Sequence, residues 1–380
     1  MSRLTSAQAI VECLRLEGIS KVFCVPGESY LPVMDAIRDE PDMELISARH
    51  EGGASFMAEG FAKASGKPGV VMATRGVGAS NLTIGVHTAY QDSTPLVVLL
   101  GQVHSSFSGR EGFQEVDLEA FFRPIAKWVA EIREPPRVPE LVQRALRIAQ
   151  TGRPGPVVLS LPEDVLKKEA EMEFGPTASR PKPRPSFQEL FKVEALLGEA
   201  HRPLIVAGGG VKNAGAEAAL QNFAEKYNLP VMAAFRRHDV FPNDHQLYVG
   251  HLGLGMRTDL LQSVKEADTI LAIGTRLSEV TTQDYSILSK EQTLVHIDID
   301  YETLGKVYAP KVGIVADARE ALGALLTLKV KPKWEAWAEK RRQVYRKSLA
   351  ENNTVNKQFI SILQKHLPSD AILTNDAGNF

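Results

Sequence analysis

The sequence predicts an α/β protein with two successive parallel-sheet α/β domains, plus the first elements of a third. Three observations carry this reading. Short apolar runs of strand length alternate with amphipathic or small-residue segments of helix length. The alternation stops at a charged, Pro-rich stretch and then restarts. The chain's 380 residues also exceed what one ordinary core accommodates.

In chain order, "MSRLTSAQAIVECLRLEGIS" reads as an amphipathic helix behind a cap at Thr5 or Ser6. Strands are expected at "KVFCVPG", "ELISARH", "GVVMAT", "LVVLLGQ", "IAKWVAEI" and "PVVLSLP", which fill a first domain over residues 1–166. Residues 167–187, "KKEAEMEFGPTASRPKPRPSF", carry neither a strand nor a helix period and read as a surface-wrapping linker. Strands resume at "PLIVAGGGV", "LPVMAAF", "DTILAIGTRL" and "LVHIDID", giving a second domain over 188–330. Residues 331–355 are a charged helical connector in which Trp334 and Trp337 can pack one turn apart. Residues 356–380 read as a helix, "NKQFISILQKHLP", then a strand and Gly turn, "DAILTNDAGNF". A strand without a following helix cannot cover its own faces, so a third domain is expected to begin here and to be incomplete.

Composition narrows the partners. With 44 basic and 46 acidic residues the net charge is -2, and no dense Lys/Arg block occurs. Nucleic acid and membrane surfaces therefore receive no electrostatic support, and a small-molecule partner is expected. No apolar stretch is long enough to span a bilayer, and a cytoplasmic protein is expected. Cys13 and Cys24 have no metal-ligand spacing and read as reduced core residues.

Two local patterns stand out. In "ISARHEGGASFMAEGFAKASGKPGVVMAT", His50 and Glu51 sit between an apolar run and a helix of small residues. Glu51 there suits the positive end of a helix, or a carboxyl placed for chemistry. In "LIVAGGGVKNAG" the third position of a G-x-G-x-x-G pattern is Asn213, so a dinucleotide fingerprint is not met.

At "VPGESY", "RHEGGASFMAEGFAKASGKPGVVMAT", "GVGASNLTIGVHTAYQDSTPLVVLLGQ", "GFQEVDLEAFFRPIAKW" and "TGRPGPVVLSLPEDV" the chain resembles the thiamine-diphosphate enzymes of the acetolactate synthase group. The resemblance implies a pyrimidine-binding domain, a central domain and the start of a diphosphate-binding domain. It implies that Glu51 hydrogen-bonds the cofactor's aminopyrimidine and that Gln114 reaches into the active-site pocket. Pro26, Gly27, Thr74 and Asn81 would line the pyrimidine pocket, and Gly378 and Asn379 would touch the diphosphate. Arg153, Gly208, Gly209, Gly210, Gly274, Arg276, Asp298 and Asp317 match positions that hold FAD in flavin-containing relatives. Other relatives keep that domain without flavin, so FAD stays open. Mg2+ is implied as well, with ligands in the missing part of the third domain. The small residues of the Glu51 helix fit a homodimer or tetramer whose active site lies between chains.

The implied reaction is decarboxylation of a 2-keto acid, pyruvate foremost, with carboligation to a second keto acid. Simple decarboxylation and flavin-linked pyruvate oxidation remain alternatives, as does a non-catalytic nucleotide-binding protein. Departures from the acetolactate synthase pattern are Glu28 for Gly, Val77 for Pro and Glu163 for Lys, near the pocket mouth. In the central domain Gly255 replaces a flavin-pocket His and Val280 an Arg. Without the third domain's metal ligands, these residues alone are expected to hold the diphosphate poorly.

Overall fold

A computed structural model describes residues 2–351 and 354–374. The chain divides into two compact units, Met1–Pro183 and Arg184–Phe380.

In the first unit, strands β1 (Ser2–Thr5), β2 (Lys21–Cys24), β3 (Glu44–Ser47), β4 (Gly69–Thr74), β5 (Leu96–Gln102), β6 (Trp128–Glu131), β7 (Pro156–Pro162) and β8 (Glu169–Met172) appear in order. Six of them form a parallel sheet ordered β3-β2-β4-β5-β7-β6. All six expected apolar runs are its strands. Helices α1 (Ser6–Leu16), α2 (Leu31–Arg38), α3 (Glu51–Ser65) and α4 (Arg75–Asp92) connect the early strands. Alternation within β4 explains the layering: Val70 and Met72 join the core that holds Ile10 and Leu14 of α1, while Val71 and Ala73 join Ala54, Ala58, Leu82 and Val86 of α3 and α4.

The capping expectation holds at Thr5, whose side chain accepts from the Gln8 N–H while Gln8 returns the bond. The residues before it differ from expectation. Ser2–Thr5 and Glu169–Met172 pair as an antiparallel ribbon, so part of the segment read as unstructured linker is strand. "SRLT" has no strand pattern and "EAEM" alternates over only four residues, so long-range pairing decides their state. Cys13 and Cys24 are free and buried. Burial pushes the Cys13 thiol up to about 12 and raises that of Cys24. Both are expected to resist alkylation at neutral pH in the folded protein and to react once denatured, as a timed thiol assay would show.

The second unit holds β9 (Pro203–Ala207), β10 (Val231–Ala233), β11 (Tyr248–His251), β12 (Thr269–Ile273), β13 (Thr293–Asp298) and β14 (Val312–Val315). They form another parallel sheet, ordered β11-β10-β9-β12-β13-β14. The two edge strands were not expected. Helix Glu335–Glu351 belongs to this unit's core: Trp334 and Trp337 are buried, and their indole N–H groups donate to the carbonyls of Tyr227 and Asn228, and of Pro203. The expected helix after it spans Val355–His366 and buries none of its residues. The strand expected at "AILTN" does not form over Ala371–Thr374, where no strand among the described residues pairs with it. Gly378 and Asn379 lie outside the described residues.

Candidate active site

The first sheet reverses its order between β2 and β4, and parallel sheets place their ligand crevice at the carboxyl ends of such strands. The turns after β2, β3 and β4 carry Pro26–Gly27, Glu51 and Thr74, which brings these expected site residues to one edge.

The turn after β2 is fixed from below. Tyr30 is buried and its hydroxyl donates to the Val25 carbonyl. Gly27 lies against β4's end, where a Cβ would stand 2.7 Å from Thr74 Cβ. Thr74 and Ser29 share a hydroxyl hydrogen bond of 2.6 Å.

Glu51 opens α3. His50 caps that helix, its Nδ1 accepting the Gly52 N–H at 3.0 Å, so the imidazole serves the backbone and not Glu51. The Glu51 carboxyl is held instead by Asn81 of α4, which donates from Nδ2 to Oε2 at 2.9 Å. Among the described residues nothing donates to Oε1. A Cβ at Gly78 would lie 3.3 Å from that oxygen, so this glycine leaves it room. The half-buried carboxyl is thus held by one oxygen and left open at the other. The second oxygen is free to meet a ligand's hydrogen-bonding group. Replacing Asn81 by Ala is expected to lower turnover about tenfold, since the Glu51 carboxyl stays in place but loses its orienting donor. Steady-state kinetics at saturating cofactor checks this.

Gln114 comes from the loop between β5 and β6. Its backbone is left-handed, φ 64°, and its carbonyl accepts the Gly76 N–H at 3.0 Å at the start of α4. Its side-chain Oε1 is buried without a donor. A buried amide oxygen left unpaired costs free energy unless a ligand donates to it, which fits a pocket role. The loop is shaped by Glu115, whose carboxylate accepts from Gly109 and Gly112; those bonds hold it below the usual carboxylate range. Phe113 beside it is exposed.

Sequence reading missed Arg75. This residue begins α4 with φ 39° and is largely buried. Its Nη2 donates to Glu163 at 3.1 Å, while Nη1 lies 3.4 Å from both the Glu28 carboxylate and the Phe113 carbonyl. Two of the departures from the family pattern, Glu28 and Glu163, are therefore partners of one cation. Charge complementarity among positions 28, 75 and 163 is the signal that could have found it.

Of the small residues of α3 expected at a subunit interface, Gly52, Ala54, Ser55 and Ala58 are buried within the unit and Gly53 is exposed. The large residues Phe56 and Met57 on α3, and Val77 and Ile84 on α4, are exposed.

In the second unit, Gly208, Gly209 and Gly210 follow β9, and Gly274 follows β12, on either side of that sheet's own reversal. Their backbones touch: Gly210 N–H donates to the Gly274 carbonyl at 2.8 Å, and a Cβ on Gly208 would stand 2.4 Å from that oxygen. Close backbone packing thus demands glycine here whatever the ligand. Arg237 lies over Gly209, and Arg276 is exposed after β12, so cations flank the turn. Asp298 Oδ1 accepts from the Asp300 N–H, and Asp317 caps the helix Ala318–Leu325. Arg153, in the first unit, donates to Ser93 Oγ and the Tyr90 carbonyl at the end of α4. Among the described residues no group of His, Cys, Asp and Glu could hold a metal ion, and no helix is long and apolar enough to cross a membrane.

The switch point of this parallel sheet thus bears a half-held carboxyl and a buried amide oxygen without a donor. Residues 4–121 match the thiamine pyrophosphate enzyme N-terminal TPP binding domain, and residues 190–325 match the central domain of the same enzymes. The chain is 39% identical to a probable acetolactate synthase large subunit of Methanocaldococcus jannaschii, covering 89% of this chain and 58% of that relative. It is 34% identical to the acetolactate synthase large subunit of Buchnera aphidicola, covering 100% of this chain and 69% of the relative. With the glyoxylate carboligase of Escherichia coli O157:H7 it shares 35% identity over 95% of this chain and 63% of the relative. The chain belongs to the thiamine pyrophosphate enzymes, among relatives of the acetolactate synthase kind. It spans only part of the length of each of these relatives.

Proposed function

We propose that the full-length protein uses thiamine diphosphate to decarboxylate a 2-keto acid, with pyruvate as the first substrate to test, and joins the remaining acyl fragment to a second carbonyl compound. The observation that carries this is Glu51, held by Asn81 with its Oε1 open at the switch point of the N-terminal domain.

The residues present fit the pyrimidine half of the cofactor. Glu51 Oε1 would accept from, or donate to, a ring nitrogen; Gln114 Oε1 is a buried acceptor wanting a donor; Gly27 and Thr74 wall the turn beside it. When bound, the cofactor supplies the electron sink that takes the electron pair as CO2 leaves. This chain's part is to orient the ring and to hold or return one proton at Glu51. Mg2+ and the diphosphate are assigned to a third domain beginning near residue 356, with the first two domains near 1–166 and 188–330. The exposed Phe56, Met57, Val77 and Ile84 on α3 and α4 support pairing with a second copy of the chain beside this site.

Flavin in the central domain is supported by the cations at Arg237 and Arg276, whereas the contacts of Gly208, Gly210, Gly274 and Asp317 are explained without it. Visible absorption of the purified protein decides the point. The main reading is tested by incubating the full-length protein with pyruvate, thiamine diphosphate and Mg2+ and identifying the products. A carbon–carbon ligation product that requires the cofactor is expected. Aldehyde alone would favour simple decarboxylation, and no cofactor-dependent loss of any 2-keto acid would overturn the proposal.

A further inference from the structure

The Glu28–Arg75–Glu163 cluster stands directly beside the residues assigned to the pocket. Glu28 follows Gly27, Arg75 follows Thr74, and Arg75 touches the carbonyl of Phe113, the neighbour of Gln114. Arg75 would be the obvious receptor for a substrate carboxylate, but both its Nη atoms are engaged. Nη2 serves Glu163, Nη1 faces Glu28 and Phe113, and Nε, which has no partner among the described residues, is buried out of reach of solvent. The cluster therefore carries one positive and two negative charges. Of the carboxyls on the neighbouring turns, Glu51 accepts from Asn81, Glu115 accepts from the Gly109 and Gly112 N–H groups, and Asp164 is paired with Lys168 and lies 4.0 Å from His104, while the exposed loop carries both Arg110 and Glu111.

We infer that this acidic cluster selects the acceptor: an uncharged carbonyl compound, an aldehyde, is preferred over a second 2-keto acid anion. The inference rests on the carboligation proposed above. The donor keto acid meets the same negative field on entry, but it sheds its charge with CO2. A keto-acid acceptor would stay anionic through bond formation and be opposed throughout. The step balances without a redox partner: the donor's carbon–carboxylate bond breaks, the acyl carbon bonds to the aldehyde carbonyl carbon, and the aldehyde oxygen takes one proton to give a 2-hydroxy ketone.

The test supplies the full-length protein with saturating pyruvate and equimolar propanal and 2-ketobutyrate, and measures the ratio of the two adducts by NMR at low and high salt. A product ratio does not depend on the fraction of protein folded. The aldehyde adduct is expected to dominate at low salt. The double variant Glu28→Gln with Glu163→Gln is expected to move the ratio toward the 2-ketobutyrate adduct by roughly tenfold, and salt to move it partway in the same direction. Dominance of the 2-ketobutyrate adduct in the unaltered protein, or an unchanged ratio in the double variant, would overturn the inference. A pyruvate–pyruvate adduct exceeding the propanal adduct would overturn it as well. Absence of any ligation product while pyruvate is consumed, or no consumption at all, would instead overturn carboligation itself.

Discussion

Replacing Glu51 by Gln is expected to lower turnover of a 2-keto acid by roughly 10²- to 10⁴-fold while leaving the fold intact. Glutamine has nearly the same shape and can still accept the Asn81 hydrogen bond through its amide oxygen, so the start of α3 need not move. It also stays capped by His50, whose bond goes to Gly52. What glutamine cannot do is exchange a proton with a ring nitrogen. The loss should therefore fall on kcat more than on cofactor affinity, with an unchanged thermal melt. A drop of less than about tenfold would mean that Glu51 is only a favourable acid in a first helical turn, worth a fraction of a kcal/mol.

The second large effect is on stability. Gly274 has φ +59°, and a Cβ there would stand 2.7 Å from Gly210 Cα and 2.8 Å from the Val211 nitrogen. Both neighbours are backbone atoms and cannot rotate away. Replacement by Ala combines a left-handed strain with a forced separation of the turns after β9 and β12, together costing about 3–5 kcal/mol. Urea denaturation followed by tryptophan emission in a Trp128→Phe background reads this unit, since Trp334 and Trp337 are buried in its core and Trp128 of β6 is the remaining tryptophan. The same loss is expected with and without added FAD. A variant of unaltered stability that fails only to bind flavin would show that ligand approach, not backbone packing, requires this glycine.

How far the sequence anticipates these features depends on the distance over which each is decided. The central strands were legible because parallel strands buried on both faces must be apolar runs, as in "LVVLLGQ" and "PVVLSLP". Strand β14, "VGIV", alternates buried and exposed residues over four positions, and β11 is equally short, so neither pattern rises above its surroundings. The β1–β8 ribbon offers only Leu4, Ala170 and Met172 as apolar residues, and it exists because residues 2–5 and 169–172 meet. Glu51 could be singled out from "RHEGG", yet its Asn81 partner lies thirty positions away, |i−j|=30, and only the packing of α3 on α4 brings it there. Arg75 was hidden for the same reason. Its partners come from the ends of two other strands, β2 and β7, and a lone Arg in "TRGVG" reads as an ordinary helix start.

The central claim is that this chain supplies the carboxyl that handles the cofactor's proton. Its most direct test is the rate of deuterium exchange at thiazolium C2 of thiamine diphosphate bound to the full-length protein, followed by NMR in the unaltered and Glu51→Gln forms at saturating cofactor. The expected result is exchange slowed by about two orders of magnitude or more in the variant, with cofactor binding retained. Equal exchange rates in the two proteins, with the cofactor bound in both, would contradict the role assigned to Glu51.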